Sequence, residues 1–217
     1  QSMKPVFSVI LVFLVLFAAA QDPARFKTDV EELAKKEYNF SNDKKLVVFA
    51  GSSSIRMWKD VQSYFPEYNV INNGFGGSHF SDLLFCYDEL ILSRKPDILF
   101  IYEGDNDIAD AKMPREVMKQ AKELVTKIRK DLPETRILFI SPKPSLAREK
   151  LKEKYLTFNN KLERYCNRKK QVEFVNVWTP MCDKSGNILP GLYVEDGLHM
   201  NKKGYAIWVE AIGNYLE

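Results

Sequence analysis

Val47-Val48-Phe49-Ala50-Gly51-Ser52-Ser53-Ser54-Ile55-Arg56-Met57-Trp58 is the stretch that decides the fold. An apolar β-type run closes on a glycine and three consecutive serines, and a helix-like segment follows. A serine at such a junction sits where helix N–H groups lack intrahelical acceptors and the local potential is positive. That setting suits a nucleophile that must become an alkoxide. It suits a phosphate cradle or a plain helix cap equally well, so the rest of the chain has to decide.

Outward from this stretch the same alternation repeats. Residues 25–38 carry Phe26, Val30, Leu33 and Ala34 at helical spacing and predict an amphipathic helix. Strands are expected at 45–50, 68–72, 97–102, 136–140 and 172–177, separated by helices at 57–64, 81–93, 114–130 and 147–169. Asn201 can cap a last helix running to Leu216. The 97–102 segment is almost continuously apolar, as in strands covered on both faces of a parallel sheet. Short buried strands alternating with helices predict an α/β protein with a doubly wound sheet of five parallel strands. In such sheets ligands bind beyond the carboxyl ends of the strands.

The expected strand ends carry a specific set of residues. Ser53 follows the first strand, Gly74-Phe75-Gly76-Gly77 the second, and Glu103-Gly104-Asp105-Asn106-Asp107 the third. Beyond the fifth lies Glu195-Asp196-Gly197-Leu198-His199. Acyl transfer needs these parts. A serine hydroxyl becomes a competent nucleophile when an imidazole takes its proton, and a carboxylate fixes the imidazole tautomer. Asp196 and His199 are three residues apart, within one turn of each other. The backbone N–H groups of Ser53 and Gly77 and the side-chain amide of Asn106 would supply donors for an oxyanion. No lysine accompanies the glycines in a phosphate-binding pattern. Glu103, Asp105 and Asp107 admit a cation site as an alternative, and His79 reads as a structural or pocket-wall residue.

Gly51-Ser52-Ser53, Gly77, Gly104-Asp105-Asn106-Asp107 and Asp196-Gly197-Leu198-His199 resemble, in order, the four sequence blocks of the SGNH hydrolases, the GDSL-type lipases and esterases. The wider wording, Gly51 to Trp58 with Asn72-Asn73-Gly74-Phe75-Gly76-Gly77, is similar to a subgroup of exported bacterial esterases. The resemblance implies a flavodoxin-like, three-layer α/β/α fold and no metal or other cofactor. It implies a triad of Ser53, Asp196 and His199 and an oxyanion hole of Ser53, Gly77 and Asn106. Ser52 stands where the family block usually has aspartate, which leaves three adjacent serines to choose from. Alignment on Gly51 and Trp58 selects Ser53.

Composition bounds the remaining classes. The 217 residues suit one domain, with 45% hydrophobic and 28% charged residues and a net charge of +3 from 32 basic and 29 acidic side chains. Interleaved charges argue against nucleic acid as a partner. Lys4, the apolar run to Ala20 and the small residues at its end have the form of a secretory signal peptide over residues 1–20, with a hydrolase domain over 21–217. Export to a periplasmic or extracellular location follows, without stable membrane insertion after cleavage; a retained anchor is the alternative. Cys86, Cys166 and Cys182 admit one disulfide but read better as buried or incidental thiols. Asn39-Phe40-Ser41 matches a glycosylation sequon. The expected activity is hydrolysis of a carboxylic ester, with small acyl groups, acetyl above all, on carbohydrate or similar alcohols. A lysophospholipase or thioesterase for longer chains, an O-acyltransferase and a non-catalytic glycan-binding module are the competing readings.

Overall fold

The computed structural model describes residues 22–216. The signal-peptide reading of residues 1–20 therefore lies outside the described residues. Among the described residues, no helix is long and apolar enough to cross a membrane.

Five strands form the sheet among these residues: β1 (Leu46–Gly51), β2 (Asn69–Gly74), β3 (Ile98–Tyr102), β4 (Arg136–Ile140) and β5 (Val172–Val175). All neighbours pair parallel, in the order β2-β1-β3-β4-β5, which is the flavodoxin-like order. The direction in which successive strands are added therefore reverses between β1 and β3, where such sheets open a crevice at the carboxyl edge.

Alternation along the strands builds two cores. Val48, Ala50, Leu99, Ile101, Ile137 and Phe139 face one layer, formed by α1 (Lys27–Ala34), α4 (Phe80–Phe85), α5 (Tyr87–Leu90), α7 (Pro114–Asp131) and α8 (Lys152–Cys166). Val47, Phe49, Phe100, Tyr102, Leu138 and Ile140 face the other, formed by α2 (Ser53–Arg56), α3 (Val61–Tyr64) and α9 (Lys202–Gly213). A short α6 (Asp105–Ala109) follows β3. On the second face Phe49 stacks on Phe100 at 4.7 Å, and Trp58 sits edge-on to Trp208 at 5.9 Å. Burying each such ring stabilises the fold by about 1.5–3 kcal/mol.

The caps follow sequence chemistry. Pro114 opens α7, and the Glu116 carboxylate accepts the Met113 N–H at 2.8 Å. Asn201 Oδ1 accepts from the Lys203 and Gly204 N–H groups at the start of α9.

Four expected helices are shorter or broken. Residues 25–38 hold a 3₁₀ turn over Pro23–Phe26 and then α1. Residues 57–64 are helical only from Val61, because the Asn72 amide takes the Ile55 and Trp58 carbonyls at 2.7 and 2.9 Å. That anchor lets Trp58 drop into the core, where it is 1% exposed. Residues 81–93 break at Cys86, and residues 147–169 divide into a 3₁₀ segment, Leu146–Leu151, and α8. The three cysteines are free thiols, and burial pushes Cys86 up to about 11 and Cys166 up to about 12.

Candidate active site

Gly51 ends β1 with φ +138°, and a Cβ there would lie 2.1 Å from the Tyr102 carbonyl oxygen. Only glycine lets the chain pass β3 this closely and turn at once into α2. Ser52 precedes the helix, Ser53 is its first residue and Ser54 its second. Ser52 and Ser54 are buried, whereas Ser53 is half-buried and turned toward the loop after β5.

That loop makes a tight turn. The Val194 N–H donates to the His199 carbonyl at 2.9 Å, and Gly197 takes φ +63°. Within the turn Asp196 Oδ1 accepts the N–H groups of Leu198 and His199, each at 2.8 Å. Asp196 Oδ2 lies 2.5 Å from His199 Nδ1. His199 Nε2 lies 2.9 Å from Ser53 Oγ. The His199 hydrogen bond, helped by these two backbone donors, holds the Asp196 carboxyl down to about 2. An ionised Asp196 fixes the proton of His199 on Nδ1 and leaves Nε2 as the acceptor facing the serine.

Gly77 follows β2 with φ +80°, and a Cβ built on it meets nothing within 4 Å. The constraint there is conformational, and the space beside the backbone is open to a ligand. Asn106 lies in α6, after β3. Its Nδ2 donates to the Ser78 carbonyl at 2.9 Å, and its Oδ1 accepts from Arg148 Nη2 at 2.9 Å. Carbonyls only accept and guanidinium groups only donate, so these two partners fix which end of the amide is nitrogen. One of the two Nδ2 hydrogens serves Ser78, which leaves the second for a further acceptor. An open cavity of about 490 Å³ reaches Gly77 and Asn106 and is bordered by Arg25, Phe26, Asp29 and Asp110.

The acidic run after β3 does not gather around a common point. Asp105 is buried and accepts from Tyr102 and Tyr155 hydroxyls at 2.7 and 2.9 Å and from Arg148 Nη1 at 2.6 Å. Burial alone would raise its carboxyl, but Lys143, Arg148 and these donors bring it down to about 2. Glu103 accepts from the Ser78 hydroxyl at 2.6 Å, and burial, with Asp107 adding, pushes it well above the carboxylate range. Asp107 accepts from Lys112 Nζ at 2.8 Å and from the Phe80 N–H at 3.2 Å. Among the described residues no group of His, Cys, Asp and Glu side chains is arranged to hold a metal ion. His79 is buried with Nε2 2.9 Å from Oδ2 of Asp110, itself a residue that borders the cavity.

Phe75, Phe80 and Met200 are core residues and form no acyl pocket; Leu198 is half-buried. Arg25, Lys143 and Arg148 were not among the residues expected from the sequence. The strand-end rule, applied to β4, leads straight to Ser141-Pro142-Lys143-Pro144-Ser145 and on to Arg148. Arg25 had no signal beyond its place in an amphipathic segment.

The sequence profile of the GDSL-like lipase/acylhydrolase family matches residues 48–207, most of the chain. The chain belongs to this family. Acylhydrolases of the GDSL type cleave ester bonds, and that general chemistry is this chain's. No curated protein matches the chain by sequence. Among solved structures, a GDSL-like lipase from Bacteroides thetaiotaomicron is 21% identical over 89% of this chain and 96% of that one, with a TM-score of 0.71. A Streptococcus pneumonia protein provisionally described as a platelet activating factor is 24% identical over 90% and 92%, with a TM-score of 0.75. An acetylxylan esterase from Geobacillus stearothermophilus is 16% identical over 78% and 93%, with a TM-score of 0.66. These likenesses carry the GDSL-type fold, with its five-stranded parallel sheet between helical layers.

Proposed function

We propose that this acylhydrolase is an exported serine esterase that removes small acyl groups, acetyl above all, from carbohydrate or similar alcohols. The observation that carries the mechanism is the relay from Ser53 Oγ through His199 to Asp196, at 2.9 and 2.5 Å. In this reading Ser53 Oγ attacks the ester carbonyl while its proton passes to His199 Nε2. Asp196 stays ionised and stabilises the imidazolium through Nδ1–H. Charge developing on the carbonyl oxygen meets the backbone N–H groups of Ser53 and Gly77 and the free hydrogen on Asn106 Nδ2. Collapse expels the alcohol, which takes the proton from Nε2, and leaves the acyl group on Ser53. Water, deprotonated by His199, then attacks the acyl carbonyl, and the same proton route returns to Ser53.

Three observations support a short acyl group and a hydrophilic alcohol. The cavity reaching Gly77 and Asn106 is bordered by the charged Arg25, Asp29 and Asp110. The aromatic residues nearest the motif are packed in the core. One structural neighbour is an acetylxylan esterase. Export rests on the signal-like residues 1–20. A second reading, action on longer acyl chains, draws on the exposed Leu146 and Val194 beside the His199 turn. Turnover of p-nitrophenyl acetate by wild type and Ser53→Ala, followed by p-nitrophenyl esters of rising chain length and acetylated xylo-oligosaccharides, tests both. Equal activity of wild type and Ser53→Ala removes the serine mechanism. A kcat/KM rising steeply from acetate to decanoate selects the longer-chain reading.

A further inference from the structure

We propose that Arg148 is the positioning residue of the oxyanion hole: its guanidinium locks the Asn106 amide so that one Nδ2 hydrogen faces the reacting carbonyl. The inference rests on the esterase reading for its catalytic consequence and on geometry for the lock itself. Arg148 spans two acceptors on consecutive residues, Asp105 Oδ1 at 2.6 Å and Asn106 Oδ1 at 2.9 Å. A planar fork can hold both at once in a fixed orientation; a lysine ammonium, a point charge on a flexible stem, has donors enough but no such fixed geometry.

The surroundings are built to keep that fork in place. Asp105 anchors it from below, and is itself fixed by the hydroxyls of Tyr102 and Tyr155, with buried Lys143 Nζ at 3.6 Å. The backbone also departs from regular helix at this position. Arg148 has φ −120° and ψ 20° inside the Leu146–Leu151 segment, which breaks what the sequence pattern would make one long helix. The break lets the side chain reach across to α6. Ala147 N–H donates to the Gly197 carbonyl at 3.1 Å, so the same segment also braces the turn that carries His199.

The lock has an electronic side. A cation on Oδ1 draws density from the amide and strengthens its N–H groups as donors, as hydrogen bonds in a chain polarise one another. With Ser78 taking one Nδ2 hydrogen, the amide has no rotational freedom left. A donor held in this way costs no reorganisation when negative charge develops.

A residue that acts through Asn106 makes a non-additive pair with it. Arg148→Lys and Arg148→Ala should each lower kcat about 10-fold to 10²-fold, less than outright loss of an oxyanion donor, with KM within about twofold. In an Asn106→Ala background the same Arg148 changes should cost less than about twofold more. Added guanidinium should restore part of the Arg148→Ala rate and none of the Asn106→Ala rate. A second readout needs no turnover: the Asn106 side-chain amide resonances should shift and exchange faster with water in Arg148→Lys. Full additivity of the two substitutions, or an effect confined to KM, overturns the catalytic role. Unchanged Asn106 amide resonances overturn the lock even if the protein proves to hydrolyse no ester. Ser53→Ala on the same substrate separates failure of the esterase reading from failure of this one. If Arg148→Ala does not fold, Arg148→Lys carries the kinetic and spectroscopic arms.

Discussion

Ser53 Oγ and His199 Nε2 lie 2.9 Å apart although 146 positions separate the two residues. The sheet order brings them together: β1 delivers Ser53 at the point where the strand order reverses, and the loop beyond β5 returns across the carboxyl edge to the same crevice. Neighbouring Ser52 and Ser54 are buried on either side. Ser53→Ala should therefore lower kcat for p-nitrophenyl acetate by at least about 10³-fold, as when a triad serine is removed. Ser52→Ala and Ser54→Ala should stay within about tenfold of wild type. A Ser52 or Ser54 variant as slow as Ser53→Ala would put the nucleophile elsewhere.

The Asn106 amide donates to the Ser78 carbonyl and accepts from Arg148. Under the proposed mechanism, removing the side chain takes away one oxyanion donor and leaves the relay of Ser53, His199 and Asp196 in place. Asn106→Ala should lower kcat about 10²–10³-fold with KM and melting temperature little changed. Steady-state kinetics beside a thermal melt checks this. A rise in KM at constant kcat would show that Asn106 binds the ground state instead.

Much of this was legible in the sequence because the signals were local. The apolar runs at β1, β3 and β4 bury both faces, so they read as strands within a residue or so at each end; Ser53, Gly77 and Asn106 come just after strands, and the Asp196–His199 pair stands in the long loop beyond β5. Helix lengths were less legible because tertiary contacts cut them. The Asn72 amide captures carbonyls near Trp58, and the segment before α8 is broken at Arg148, whose side chain reaches Asp105 and Asn106. Arg25 and Arg148 could not be placed from periodicity, since a charged residue in an amphipathic helix has the same pattern whether it meets water or a buried carboxylate. What those two side chains touch is set by packing 42 to 57 residues away in the chain.

Asp105 makes acid sensitivity predictable. Burial opposes its ionisation, yet Lys143, Arg148 and the two tyrosine hydroxyls hold its carboxyl down to about 2. An unfolded aspartate titrates near about 3.9. The folded value is the lower one, so the stabilisation is fully present above about pH 4 and is lost as pH falls toward 2, on the order of 2–3 kcal/mol in all. Chemical denaturation in steps from pH 5 to pH 2 should show that loss in wild type, with a shallower slope in an Asp105→Asn variant. Parallel slopes in the two proteins would assign the acid transition to other groups.

Glu103 predicts the opposite sign in a different window. It is 1% exposed, its Oε1 takes the Ser78 hydroxyl, and burial, with Asp107 adding, raises its carboxyl well above the ordinary range. An unfolded glutamate loses its proton near about 4.3, while the folded protein keeps it. From that pH upward the unfolded state is favoured progressively, until the folded carboxyl ionises as well. Burial therefore favours the neutral carboxyl in the fold, and glutamine has the same shape without the proton to lose. Glu103→Gln should leave the melting temperature near that of wild type at pH 4 and raise it at pH 8, by about 2–4 °C for each kcal/mol recovered in a chain of this size. Scanning calorimetry of both proteins at the two pH values decides it, and an equal drop at both would mean that Glu103 is held ionised and paired.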